Sequence, residues 1–441
     1  MSNFENSTFR YLLIGLPILV FTGCLIAYTA NIPWLDDFEV APVSLFNWLH
    51  VHDFQQKMAQ IWAPNNEHRV VTLKLLVLFN YYVFGQLNIK WMIWQSHLYL
   101  IPLFVILWRT MPKERRLAYF SPIPFLFLNF QYFLSSYWMI AAVQHNFVIG
   151  FGAIAMYLLV KPTPARFYLA IIFTLLACLS NSDGLFFIPI GAFVLLMQHR
   201  LKDLIVWIVL LTSGIVLFFW KYPSMSYHET GMHYFYQHPF VSLKGFFVFM
   251  GGGFDFWYRD QSVFRIFITA FMGIFLVGIV IFAIYQLVKA QGFSQLIQRW
   301  KDKTFVQAPV LFVISMLLYI MMNAGAISIL RSSFGEYVFL IGNYKIYPTL
   351  ALVFVYALVI YGWPEISKKL RWVLVGVVIF WAASIWNSLG DVRQRKAMLM
   401  EEYASFRRGG PGLGFTTQQQ KAFGLGEIFQ FLESKGIYHA E

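Results

Sequence analysis

Charged side chains are scarce in this chain: Asp, Glu, Lys and Arg make up 12% of its 441 residues, about half the share of a typical soluble domain. That scarcity, with a mean hydropathy of +0.60, excludes an ordinary water-soluble fold. Cysteine is nearly absent, and both copies, Cys24 and Cys178, lie inside apolar runs, which excludes a disulfide framework and a thiolate metal site. A phosphate-cradling loop is missing, because the glycines of Gly409-Gly410-Pro411-Gly412-Leu413-Gly414 are not followed by Lys-Ser or Lys-Thr. No repeat of fixed period is visible. The first apolar run, Tyr11 to Ala30, has no small-residue cleavage site, so it reads as a retained helix and not as a signal peptide.

What the chain has instead is long apolar runs. A helix needs about 20 apolar residues to cross a bilayer, and runs near 11–30, 70–86, 89–108, 117–134, 139–160, 167–181, 185–198, 204–220, 263–288, 306–322, 346–362 and 372–388 approach that length. The expected fold is an all-α polytopic membrane protein with eleven or twelve transmembrane helices in residues 1–389, followed by a small soluble tail, 390–441. The net charge of +12 does not point to nucleic acid. Its basic residues cluster between apolar runs, at Arg109 to Arg116, Lys161 to Arg166, Arg200 and Lys202, Lys289 to Lys303, and Lys368 to Arg371, as cytoplasmic loops facing anionic lipid do. With these clusters on one side, the intervals 181–184, 221–262 and 323–345 face the other. The scheme breaks in the first 140 residues, because spans at both 70–86 and 89–108 put the 31–69 loop among the basic clusters. One element there is not a plain span. Ser121-Pro122-Ile123-Pro124 is the expected opening of a re-entrant or interfacial piece that runs through Gln131 to Gln144.

The first polar interval, 31–69, gathers Asp36, Asp37, Glu39, His50, His52, Asp53, Glu67, His68 and Arg69. Within it Leu45, Trp48, Leu49, Phe54, Met58, Ile61 and Trp62 recur at roughly helical spacing, the pattern of helices lying flat in the membrane interface. Asp36 and Asp37 can take a proton from an attacking hydroxyl or hold a divalent cation such as Mg or Mn; the plain alternative is a solvated helix end. Asn65-Asn66-Glu67-His68-Arg69 precedes an apolar run and is expected to cap the next helix, whose N-terminus attracts anions. Arg69 there offers a forked donor set for phosphate oxygens, unless it merely snorkels and His68 merely packs. Arg331-Ser332-Ser333-Phe334-Gly335 and Asn343-Tyr344-Lys345-Ile346-Tyr347 form a third cluster, in which Arg331 either grips an anionic ligand or pairs with a carboxylate such as Asp37. His228-Glu229 and His233 are not a zinc-protease helix, since histidines five apart fall on different faces. The aromatic-rich 221–262 interval reads as a second outward loop forming a lid or lipid-side groove, Asp183 as a turn former in preference to a buried cavity residue, and the glycine stretch of the tail as a flexible linker. The side of the tail is open: Arg393, Arg395 and Lys396 favour the cytoplasm, whereas the helix count places it outside.

One helix, then an outward loop opening with paired acids, then a long series of helices: over roughly residues 1–390 this order resembles the GT-C superfamily of glycosyltransferases that use lipid-phosphate sugars. The Asn66-Glu67-His68-Arg69 stretch and the stretch from Arg331 to Tyr347 resemble patterns of its bacterial members, although Lys345 departs from an Arg-Tyr form and leaves that position's role open. The resemblance implies a multi-pass enzyme of the bacterial inner membrane. It would move a sugar from a polyprenyl-phosphate carrier to a hydroxyl of a glycan or lipid acceptor on the outer face, with inversion, in cell-surface glycan or lipid modification. By position, Asp36 or Asp37 would be the base or a metal-site residue. Glu39, Glu67, His68, Arg69, Arg331, Tyr344 and Lys345 would serve the substrate, with Arg69, Arg331, Lys345 or a divalent cation stabilising the departing phosphate. The competing readings are a surface-polysaccharide polymerase of the O-antigen type, in which arginines dominate, and a lipid-linked-sugar flippase or transporter. Transporters place ionisable groups near the bilayer midplane and often carry repeats; the charges here gather at segment ends.

Overall fold

The computed structural model of the protein describes residues 7–66, 68–220, 222, 226–256, 261–291, 298, 302 and 307–440. Among them the chain forms helices and helical turns, with two isolated bridges, Asn65 to His68 and Gly412 to Phe415. Among the described residues seven helices are long and apolar enough to cross a membrane: Ser7–Tyr28, Ile89–Thr110, Met139–Leu159, Leu201–Phe219, Val263–Ala290, Ala308–Leu330 and Ile366–Arg407. In hydrocarbon each backbone N–H and C=O must find its partner within the protein, and a helix satisfies that need along its own length. The lipid-ready faces are visible, for example Leu12, Leu16, Leu19 and Ile26 on the first helix. The architecture is that of an all-α, multi-pass membrane protein.

Contacts between connecting segments sort the helix ends into two groups. At one end lie the basic clusters: Arg115 donates to the Ser367 carbonyl, Tyr361 to that of Thr110, Arg200 to that of Leu159, and Gln198 to that of Val160. At the other end, Asn31, Trp34, Asp37, His68, Trp138, Ile140 and Ser182 are joined by hydrogen bonds. Four more segments run between the same ends, namely Pro164–Cys178, Ser182–Met197, Ile346–Gly362 and the broken stretch 116–137.

Two elements differ from expectation, and together they remove the conflict in the first 140 residues. Val71–Phe84 is not a span. Thr72 donates its N–H to Leu179 at the start of this helix, and just past its end Leu87 bonds Ile437 and Ile89 bonds Asn31, so both its ends lie at the polar end of the bundle. The 116–137 stretch does run through, but in pieces, Arg116–Phe120, Ile123–Phe127 and Leu134–Tyr137. Carbonyls freed by the breaks are met by Tyr132 at Phe127, Asn129 at Leu126 and Trp381 at Leu128. Such irregular backbone is tolerated at membrane depth because it is buried in protein. It is a broken crossing, not the re-entrant loop that its prolines had pointed to.

The 221–262 interval is not only a surface lid either. Pro239–Gly251 is an apolar helix pressed against Val263–Gln291, so close that a Cβ on Gly251 or on Gly273 would lie 1.8 Å from a carbonyl oxygen of the other helix. The interfacial pattern of the first loop resolves into Ser44–His50 and Phe54–Trp62, the latter capped by Asp53, with Phe54 and Met58 exposed.

The tail is ordered, and it is not a linker. Ile366–Arg407 is a single helix of 42 residues that carries Thr417–Ala422 and Leu425–Ser434 onto the first loop. Leu413 is fully buried and its carbonyl takes the Leu35 N–H at 3.1 Å. Asn31 donates to His439 at 2.6 Å and Tyr438 to Asn31 at 2.6 Å, while Phe38 stacks edge-on against Phe415 and Phe429. The tail therefore caps the polar end.

Candidate active site

The loop that leaves the first helix turns at Leu35, where φ is 50°, and the two carboxylates that follow have different surroundings. Asp37 points inward, accepting the Ile140 N–H at 2.8 Å on one oxygen and the Trp34 N–H at 3.0 Å on the other. Burial pushes its carboxyl up to about 7, against the two N–H donors and the nearby Arg395 guanidinium, which favour the ionised form. Asp36 points outward and lines a cleft of about 320 Å³ with Asn65, His68, Gln144, His145, Arg331, Asn343 and Tyr344. Partial burial raises its pKa from the ordinary aspartate value, and His68 opposes that rise.

This cleft adjoins a deeper lobe of about 220 Å³ that shares His68, Gln144, His145, Arg331, Asn343 and Tyr344 and adds Asn181, Asp183, Asn323 and Tyr347. No family model, curated protein or solved structure matches the chain. What can be said of the site rests on its geometry.

Of the residues singled out from the sequence, Asp36, His68, Arg331 and Tyr344 meet on this cleft. His68 bonds Ser182 at 3.1 Å through Nδ1, and burial lowers its pKa to about 4 despite the pull of Asp183 and Asp36. Its ring is thus neutral at physiological pH. The cation lining both lobes is Arg331, which closes the Ala308–Leu330 helix and stacks over Phe334 at 5.7 Å.

The others are placed elsewhere. Arg69 does not face the cleft; its three guanidinium nitrogens donate to the carbonyls of Phe218, Trp62 and Trp220. The end of the Leu201–Phe219 helix leaves carbonyls without intrahelical partners, and a buried arginine satisfies them. Lys345 is turned away too, its ammonium 2.8 Å from Asp255, which also receives Arg265 at 2.7 Å. Glu39 stands beside Lys74 and Asn65, without lining either lobe. Glu67 lies outside the described residues. The expected cap also fails: the Val71–Phe84 helix has no side-chain cap, and Asn65 and His68 pair with each other across a turn at Asn66, where φ is 47°. Asp36 and Asp37 do not stand as a pair: Asp37 turns one oxygen to the Ile140 N–H and the other to the Trp34 N–H, and among the described residues no three His, Cys, Asp or Glu side chains gather as a metal set.

Asp183 lines the floor of the deeper lobe, the less favoured of the two roles that its sequence left open. Asp183 is no mere turn former: its Oδ2 accepts the hydroxyls of Tyr319, at 2.6 Å, and Tyr347, and the Tyr347 hydroxyl is 2.8 Å from His145 Nδ1. The available signal was the polar run Gln144-His145-Asn146 inside an otherwise apolar helix, since ionisable groups at membrane depth are costly and seldom idle.

Proposed function

We propose that the protein is a membrane glycosyltransferase that moves a sugar from a polyprenyl-phosphate carrier to an acceptor hydroxyl on the face opposite the basic clusters, with inversion. The observation that carries this reading is the meeting of Asp36 and Arg331, remote in sequence, on one cleft whose other lining side chains are uncharged amides, aromatics, two histidines and the apolar Ile140 and Ala141. In the transfer, the acceptor oxygen attacks the anomeric carbon and its proton passes to the Asp36 carboxylate. The bond from that carbon to the lipid phosphate breaks, and its electron pair leaves with the phosphate. Arg331 receives the charge that grows there, an interaction stronger in the transition state than in the ground state. A raised aspartate pKa makes Asp36 a better base and lifts the acid limb of the rate profile above that of an ordinary aspartate.

A further feature suits the carrier. A separate apolar cavity of about 550 Å³ lies between the Ser182–Met197, Val263–Gln291 and Ala308–Leu330 helices, lined by Pro189, Phe193, Leu318 and Met322 and, towards the end of the basic clusters, by Met197 and Tyr361, a lining compatible with an isoprenoid chain. The acceptor is a glycan or lipid, and the setting is cell-surface modification at a bacterial inner membrane.

The test is transfer of labelled hexose from polyprenyl phosphate to acceptors in membranes that hold the folded protein. Asp36→Asn is expected to lower turnover by roughly 10²-fold or more, and Arg331→Ala to weaken use of the donor. Near-normal transfer by Asp36→Asn would sink the assignment of the base. Loss with Arg331→Ala alone would favour an arginine-driven polymerase.

A further inference from the structure

We infer that the deeper lobe is a hydroxyl-recognition subsite that holds the donor's sugar ring, with Asp183 as its charged acceptor; this rests on the transfer reading above. Asp183 Oδ2 is occupied by two tyrosine hydroxyls, whereas among the described residues no other residue donates to its buried Oδ1, and the one further donor to the carboxylate is Asp183's own backbone N–H. A buried carboxylate oxygen so thinly supplied is costly and calls for explanation. The tyrosine protons are committed to Oδ2 and do not supply it. Asn343, on the wall of the same lobe, also has a buried Oδ1 with no partner among the described residues. Both atoms are acceptors, so a ligand that complements the lobe presents donors.

Its charge is bounded from both sides. Arg331 on the lobe wall disfavours a cation beside it, and Asp183 disfavours an anion on the floor. A neutral group bearing several hydroxyls, attached to an anion that sits nearer Arg331, meets both conditions. The amide side chains of Asn181, Asn323 and Gln144 each carry donors and an acceptor, as a sugar hydroxyl does. Phe186 and Ile327 supply apolar wall for the ring's C–H face. With the sugar on this floor and its phosphate at Arg331, the shallower lobe is left to the acceptor, where Asp36 waits.

The test is calorimetric titration of the purified full-length protein in detergent with farnesyl phosphate and with farnesyl phosphates carrying glucose, galactose, mannose or N-acetylglucosamine. At least one sugar-bearing lipid is expected to bind tenfold or more tightly than bare farnesyl phosphate. Asp183→Asn is expected to abolish that increment and leave the affinity for the bare lipid unchanged; an increment that survives the substitution overturns the subsite. Should the variant not fold, monodeoxy forms of the tightest lipid are titrated into the unaltered protein, where loss of tenfold at one position or more supports the subsite and a flat response overturns it. Sugar-dependent binding without transfer in the membrane assay leaves the subsite standing and overturns the transfer reading. Failure to bind either class of lipid overturns both.

Discussion

Asp36 and Asp37 share a turn of chain and little else: one opens onto the cleft, the other is held by the backbone of Trp34 and Ile140. The difference gives them different signatures. Between its ordinary value near 3.8 in the unfolded chain and about 7 in the fold, Asp37 binds more protons folded than unfolded. Its contribution to stability is therefore full below about pH 4 and is lost as pH rises towards 7, at up to roughly 1.4 kcal/mol per pH unit. Asp37→Asn is expected to flatten the fall of the melting midpoint between pH 5 and 7 and, by leaving one N–H without an acceptor, to lower stability by about 1–3 kcal/mol. An unchanged pH slope would show that some other group titrates. Asp36, whose pKa partial burial raises in the same direction, adds a share of its own to that slope, so Asp36→Asn should flatten it only in part while lowering turnover.

At the scale of elements, the tail and the first loop act as one unit. Gly409 and Gly414 both adopt left-handed backbone, with φ of 79° and 84°, so alanine at either carries a similar conformational penalty, of about 1 kcal/mol. They differ in what the new methyl meets: nothing at Gly409, but Leu35 Cδ2 at 2.3 Å at Gly414. Because Leu35 precedes Asp36, Gly414→Ala is expected to depress transfer well beyond Gly409→Ala at comparable melting midpoints, and equal transfer by the two would separate the cap from the site. No sequence pattern announces this coupling. Glycines in a polar stretch signal chain flexibility as readily as a tight turn, and only the burial of Leu413 decides between them. The same holds for Asp183, whose meaning comes from Tyr319 and Tyr347, residues more than a hundred positions away. Arg69 and Lys345 misled for a related reason: a buried cation needs partners, but composition does not say whether they are ligand oxygens, main-chain carbonyls or Asp255. What periodicity and charge did make legible was the run of apolar helices, two short helices in the first loop and the separation of the basic clusters from the polar intervals at the other end.

For the whole molecule the decisive element is Val71–Phe84, since whether it crosses sets the side of everything before it. Its 14 residues rise about 21 Å at 1.5 Å per residue, short of the ~30 Å hydrocarbon core, and its two ends touch Leu179 and, through Leu87, Ile437, at the same end of the bundle. With 116–137 crossing in pieces, the Arg109 to Arg116 cluster falls at the end shared by Lys161, Arg200 and Lys368, as the excess of cytoplasmic positive charge requires, and the cleft falls at the other. Single-cysteine variants in a background lacking Cys24 and Cys178 put this to measurement with a membrane-impermeant maleimide on intact cells. Asn66→Cys, Gln86→Cys and Lys435→Cys, all at exposed positions, are expected to label from outside, and Lys113→Cys and Lys202→Cys only after lysis. Gln86 is the discriminating site, because a spanning Val71–Phe84 helix would put it on the opposite side from Asn66. Labelling of Asn66 without Gln86 would restore that span and move Asp36 and Arg331 to opposite faces, where no single cleft could serve both a proton and a phosphate.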